Sequence, residues 1–148
     1  KGMQIALNPS PYNEKLDAVD MKKISIFLLN EVEGFQITGE KEPDAIAAKL
    51  REMFPHARIM LTLGKDAAMY VDAQQKVFQP SFQVQAVDTT GAGDAFCAGV
   101  SIGLTYGKTL PEAIEIGSVL AASVITSSEN VCPRFRPAEL GLDISVED

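Results

Sequence analysis

Asp88-Thr89-Thr90-Gly91-Ala92-Gly93-Asp94-Ala95-Phe96 is the stretch on which the reading of this chain turns. Beyond it apolar residues recur every four positions, at Phe96, Val100 and Leu104, and Gly107 follows, so a helix starts at this turn and stops at Gly107. A helix N-terminus leaves backbone N–H groups without intrahelical partners, and glycines keep side-chain bulk away from them, which makes the turn a candidate anion site. The plain alternative is a Gly-rich turn in which Asp94 only caps the helix.

Two phosphate-binding patterns are excluded. A dinucleotide fingerprint wants a third Gly or Ala where this chain has Phe96, and Asp94 puts a carboxylate where the pyrophosphate would sit. A phosphate loop of the GxxxxGK[ST] type is absent, because the only Lys-Thr pair, Lys108-Thr109, has no such loop before it. An acid beside an amide nest suits another chemistry: the acid accepts a proton from a hydroxyl while the amides stabilise a transferring phosphoryl group, as in a small-molecule kinase.

Upstream of the turn the pattern alternates strand and helix. Residues 3–8 read as a strand closed by Asn8-Pro9-Ser10-Pro11, and residues 25–30 as a second, continuously apolar one. A short helix over 31–37 closed by Gly39 and a clearer one over 43–54 follow, the latter with Ile46, Leu50 and Met53 on one face and Pro55 as its stop. Residues 58–63 form a third strand that breaks at Gly64, and residues 67–72 and 76–78 form a hairpin. Downstream, Thr109 and Glu112 make a capping box with Pro111, opening a helix whose apolar face is Ile114, Gly117, Leu120, Ala121, Val124 and Ile125. A loop-rich tail with a short last helix ends the chain. The fold class is α/β: a mostly parallel central sheet flanked by helices, with an antiparallel edge hairpin. No linker or repeat interrupts it, so residues 1–148 read as a single domain. Ligands in such sheets bind outside the carboxyl ends of the strands, which directs attention to Asn8, Asn30, Gly64 and the turn after Val87.

Composition sets the outer bounds. With 148 residues, 46% of them hydrophobic, the chain can bury an ordinary core. Thirteen Lys and Arg against 20 Asp and Glu give a net charge of −7, which disfavours nucleic acid and anionic lipid as partners. No apolar run reaches the ~20 residues that cross a bilayer; the longest, 119–125, contains Ser123. Two cysteines, Cys97 and Cys132, are too few for a disulfide framework and fit a reducing cytoplasm. The chain enters its first apolar run without a polar leader, as if begun in the middle of a longer protein.

The turn, followed by Ala98-Gly99, resembles the second signature of the ribokinase, or PfkB-type, carbohydrate kinase family. Asn30-Glu31-Val32-Glu33 resembles the family's N-x-x-E motif, Asn8-Pro9-Ser10-Pro11 its N-P-x-P turn, and Thr62-Leu63-Gly64 its nucleotide-side T-L-G turn, with Ala67 where the family usually has a second Gly. The resemblance implies a ribokinase-like fold and phosphorylation of a small-molecule sugar hydroxyl by ATP. Asp94 would be the catalytic base, and Gly91, Ala92 and Gly93 would supply the amides that hold the γ-phosphate. Asn30, Thr62, Gly64, Lys65, Ala67 and Gly93 would bind the nucleotide. Glu33, with Asn30 nearby, would position Mg²⁺ through water, against the plain alternative of a solvated Glu in a helix's first turn. Asp88 and the carbonyl of Thr90 correspond to a monovalent-cation site, with K⁺ the candidate ion, although the second stretch of that site, Ser127-Ser128-Glu129-Asn130, departs from the family pattern. Ser118 stands where several members use Asn beside the base. Ala67 leaves the nucleotide loop less free to take a positive φ.

Other residues read as structural: His56 as a surface residue without ligand partners, Cys97 as a core thiol, Cys132 as a loop thiol, and Met53, Met60 and Met69 as core filler. The match covers the C-terminal half of family members; the N-terminal half, with its sugar-binding segment and lid, is absent. The chain alone is therefore expected to be inactive and to self-associate through its first strand. The whole enzyme is compatible with a homodimer. A nucleoside or vitamin kinase of the same fold, or a non-catalytic ATP-binding module, are the alternatives, and the presence of an acid in the turn argues against the last.

Overall fold

In the computed structural model the described residues are 2–80, 87–128 and 136–142. Contacts group the chain into two compact units, Lys1–Ser81 and Phe82–Asp148. No shift in composition marks that division, because each side keeps its own run of buried apolar residues.

The first unit is a five-stranded sheet in the order β1-β2-β3-β4-β5. Its strands are β1 (Ala6–Leu7), β2 (Ile26–Asn30), β3 (Arg58–Leu63), β4 (Ala67–Val71) and β5 (Lys76–Pro80). The first two pairings are parallel, with Ala6 opposite Ile26 and Asn30 opposite Thr62; the last two are antiparallel. Among the described residues the sheet is mixed, two parallel pairings followed by the expected antiparallel hairpin at its edge. After β3 the chain reverses within Gly64, Lys65 and Asp66, and so short a connection can only deliver an antiparallel neighbour. Gly64 supplies the left-handed residue of that reversal, at φ +58°, and the Asp66 N–H closes it on the Leu63 carbonyl at 3.1 Å.

Phe27 and Leu29 of β2, Ile59 and Leu61 of β3 and Met69 of β4 share one buried cluster with Ile46 and Leu50 of α2 (Pro43–Met53). Met53 does not join them: it is 41% exposed. Phe54, the residue that caps α2, turns in instead and stacks on Phe27 with ring centroids 4.9 Å apart, taking the place at the end of the stripe. Met60 and Met69 are core residues, as expected. The alternate residues Ile26, Leu28, Met60, Ala68 and Tyr70 are buried too, which is why β2 and β3 read as continuous apolar runs.

Between β2 and α2 lies α1 (Glu31–Thr38), which ends at Gly39 in the left-handed region, its N–H on the Phe35 carbonyl at 2.7 Å. The strand expected over 3–8 shrinks to Ala6 and Leu7. Among the described residues it pairs only with β2, and the Ile5 carbonyl takes both the Ser25 and Ile26 N–H groups, so the ladder stops there. Met3 and Ile5 are exposed. Two 3-10 turns that the sequence did not announce, Glu14–Ala18 and Met21–Lys23, link β1 to β2.

The second unit is built on α3 (Ala92–Thr105) and α4 (Leu110–Ile125). Phe96 and Val100 of α3 and Ala113, Ile114, Gly117 and Val124 of α4 are buried. Leu142, beyond a short 3-10 turn at Pro137–Leu140, packs with Ile116 and Leu120. At the start of α4 the Glu112 carboxylate accepts the Thr109 N–H at 2.8 Å, the expected capping box. Among the described residues no helix is long and apolar enough to cross a membrane.

Candidate functional site

On the first unit the candidate residues gather at the carboxyl ends of β2 and β3. Asn30 is the last residue of β2 and stands in register with Thr62 of β3. It is also the N-cap of α1, in extended conformation at φ −98° and ψ 176°, and its side-chain oxygen accepts the Glu33 N–H at 3.0 Å. Glu33 returns the bond: its Oε2 accepts the Asn30 N–H, also at 3.0 Å. The pair is a reciprocal capping box that closes two orphan donors of α1. Glu33 is only 4% exposed, so the alternative of a solvated first-turn Glu does not hold.

Thr62 is half-buried, and its hydroxyl has only a long 3.5 Å approach to the Leu29 carbonyl. Gly64 and Lys65 are exposed in the reversal that follows. Ala67 is placed differently from expectation. It lies outside that reversal, as the first residue of β4, 3% exposed, opposite Leu63 on one side and Pro80 on the other. Its position requires no positive φ, and its side chain has little surface to offer a nucleotide. Asn8 shapes the turn after β1, where its Oδ1 accepts the Ser10 N–H at 3.1 Å.

On the second unit the turn before α3 has the geometry its glycines announce. Gly91 is left-handed, at φ 82° and ψ −7°, and caps the helix without a side chain. The Ala95 N–H on the Gly91 carbonyl, at 2.9 Å, begins the helical ladder. The Ala92 N–H turns back to the Thr89 carbonyl at 3.3 Å, so Ala92 is not one of the open amides expected of it. Gly91, Gly93 and Asp94 are: their N–H groups have no acceptor among the described residues. A Cβ built on Gly93 meets nothing within 4 Å, and its φ lies outside the left-handed region. Neither packing nor backbone geometry therefore demands glycine at this position, where alanine would favour the helix. Asp94 is exposed in the first turn of α3, beside these donors.

Asp88 holds the turn from the other side. Its Oδ1 accepts the Thr90 N–H at 2.8 Å, and this bond, with the Thr90 hydroxyl and the Thr89 N–H, keeps its carboxyl below the usual carboxylate range. Asp88 thus serves the turn's own donors. The remaining part of the expected cation site, at residues 129 and 130, lies outside the described residues, as do Cys132 and Pro133. Ser118 donates its hydroxyl to the Ile114 carbonyl of its own helix at 2.9 Å. Cys97 is half-buried on α3, and His56 is exposed.

A family model for pfkB family carbohydrate kinases matches residues 1–132. The chain belongs to this family. A deoxyribokinase of Salmonella typhi is 37% identical over 99 residues, covering 64% of this chain and 32% of its own length. A ribokinase of Haemophilus influenzae is 32% identical over 129 residues, covering 84% of this chain and 42% of its own. Among solved structures, the ribokinase of Thermotoga maritima superposes with a TM-score of 0.78 at 25% identity, covering 95% of this chain and 48% of that one. The Cryptococcus neoformans ribokinase in complex with ADP gives 0.74 at 24% identity, covering 86% and 47%. The ribokinase-like fold is thereby established, and the chain spans 32% to 48% of the length of these relatives.

The resemblance places Mg²⁺ near Glu33 through water, and one Glu33 carboxylate oxygen, Oε1, has no protein partner among the described residues. The Glu33 residue is 4% exposed and its Oε2 receives the Asn30 N–H, so a water-mediated cation contact would use the remaining oxygen alone. Capping was the role that sequence reasoning missed here. An Asn followed three residues later by Glu, just after an apolar strand, was its signal.

Proposed function

We propose that this chain is the nucleotide-binding and catalytic-base portion of an ATP-dependent sugar kinase. The observation that carries the reading is the Gly91 to Asp94 turn, where open amides, a glycine with no structural need to be one, and an exposed carboxylate coincide. A binding module has use for the amides but none for the acid.

In the proposed reaction the sugar hydroxyl oxygen attacks the γ-phosphorus of ATP, a new P–O bond forms, and the bond to the β-phosphate oxygen breaks to release ADP. A sugar alcohol is far too weak an acid for a carboxylate to ionise in advance. Asp94 therefore orients the hydroxyl and receives its proton late, as the phosphoryl group moves. The N–H groups of Gly91, Gly93 and Asp94 stabilise the negative charge on the transferring oxygens, each worth about 3 kcal/mol if they act as oxyanion-hole donors do. Asn30, Thr62, Gly64 and Lys65, at the ends of β2 and β3, are proposed as a nucleotide-side surface.

The names of the relatives make ribose and deoxyribose the first acceptors to try. Sugar-dependent ADP release by a full-length enzyme carrying this chain, with the two pentoses, other sugars and nucleosides in one panel, tests the reading. Release with a sugar supports it; release with nucleosides alone transfers the site to a nucleoside kinase.

A further inference from the structure

We propose that Arg58 is a positioning residue that pins the register of β1 through Gln4 and so fixes where the Asn8 turn stands. β1 is short, and its sequence leaves one slip open. Met3, Ile5 and Leu7 alternate with Gln4 and Ala6. In the observed register Leu7 lies opposite Phe27 and packs against the buried cluster, while Met3 and Ile5 are exposed. A slip by one residue would turn Ala6 or Asn8 toward that cluster. A slip by two that brings Pro9 opposite Phe27 puts a residue without an N–H into the ladder. A slip by two the other way sets Ile5 opposite Phe27, with an apolar side chain on the cluster and the backbone pairing re-formed, so neither burial nor the ladder opposes it. What opposes it is Gln4. The Arg58 guanidinium donates from Nη2 to the Gln4 Oε1, and in the slipped register Gly2, which has no side chain, takes the place of Gln4. Arg58 is itself held in place. It lies opposite Ile26, its N–H donates to the Ser25 carbonyl at 2.9 Å, and its guanidinium stands beside the buried hydroxyl that Tyr70 donates to the Asp72 Oδ2 at 2.8 Å. The register matters to the candidate site because Asn8 follows Leu7 directly. Its turn stands at the carboxyl end of β1, the end at which β2 and β3 present Asn30 and Thr62.

The proposal rests on the sheet and is independent of the kinase reading. The test is NMR of the 148-residue chain, in which cross-strand NOEs report which β1 residue lies beside Phe27, with thermal unfolding of the same samples. Gln4 is exposed, so Gln4→Ala and Gln4→Glu are expected to fold. In wild type the dominant NOEs place Leu7 beside Phe27. In Gln4→Ala and in Arg58→Met a set placing Ile5 beside Phe27 is expected to gain about fivefold in population, the worth of one ordinary hydrogen bond. Gln4→Glu keeps the acceptor oxygen and adds a charge, which strengthens a bond from a guanidinium. It is expected to hold the wild-type register and raise Tm, and the rise is expected to vanish when Arg58→Met is added. An arginine of merely structural use would change Tm without bringing Ile5 beside Phe27. Unshifted NOEs in Gln4→Ala overturn the proposal, and so does loss of the Leu7 contact with no new neighbour, since the bond would then anchor β1 without setting its register. A Tm gain from Gln4→Glu that survives Arg58→Met overturns it as well. If Arg58→Met does not fold, the Gln4→Ala spectrum decides by itself.

Discussion

A Cβ built on Gly99 stands 2.6 Å from the Cα of Gly117, so α3 and α4 meet backbone to backbone at this pair. The contact is reciprocal, since a Cβ on Gly117 comes within 2.8 Å of the Phe96 carbonyl oxygen. The obstacle on each side is main chain, which cannot swing away as the end of a side chain can. Gly103 repeats the contact against the Ala113 Cα at 2.8 Å. Gly99, read from sequence as part of a family signature, is thus a packing residue of the helix pair.

Gly99→Ala should destabilise the protein. Overpacking costs about 1–3 kcal/mol, against which alanine returns up to ~1 kcal/mol of helix propensity. A urea denaturation midpoint below that of wild type is the expected result; a midpoint at or above it would mean that the helices separate freely.

Gly93→Ala should do the opposite. No atom lies within 4 Å of its Cβ, so the substitution is expected to leave stability unchanged or raise it by a few tenths of a kcal/mol. If the bare turn exists to let phosphate oxygens approach its amides, the same variant loses most of the stabilisation that saturating ATP confers, which for the wild type is about 2.7 kcal/mol at a hundredfold excess over Kd. Full ATP stabilisation in Gly93→Ala contradicts that role.

The contrast between these glycines marks what the sequence carried and what it did not. β3 was readable to the residue, because an apolar run between Pro55 and Gly64 leaves little choice of ends. The Thr109 capping box was readable because its chemistry is local. Gly99 and Gly117 were legible as helical, yet nothing along the chain says that they touch. Met53 sat correctly on the stripe of Ile46 and Leu50 and was still displaced, because the competing ring of Phe54 arrives from the end of the helix, where periodicity no longer applies. The turn at Gly91 was legible in outline, but which of its amides stay open depends on the Ala92 to Thr89 bond, a matter of backbone angles.

Asp72 gives the β4–β5 hairpin a pH dependence. Its Oδ1 accepts the Gln74 and Gln75 N–H groups at 2.7 and 2.9 Å, and its Oδ2 accepts the Tyr70 hydroxyl at 2.8 Å. Burial works against its charge, but the Gln74 bond and the others prevail and lower its pKa from the ordinary 3.8. A carboxyl depressed on folding stabilises the protein fully above the unfolded value and loses that contribution as pH falls through the folded one. Wild type should therefore lose stability more than Asp72→Asn as pH drops from about 5 to about 2.5, through the carboxylate range. Parallel stability profiles for the two proteins would contradict this.

The 148-residue chain by itself should show little or no sugar-dependent ADP release, since it spans 32% and 42% of the length of the two kinases it resembles in sequence. A pocket assembled from that share of the family's length cannot exclude water or select an acceptor. A steady-state coupled assay on the isolated chain decides this, and robust turnover would show that the remaining length is dispensable.

The most direct test of the account is the turnover of Asp94→Asn in a full-length enzyme carrying this chain, measured as sugar-dependent ADP release beside ATP binding. If Asp94 is the base, kcat falls by about 10²–10⁴-fold while ATP binds nearly as before. Turnover at the wild-type rate would remove Asp94 from the chemistry and leave the Gly91 turn as an anion site without a reaction.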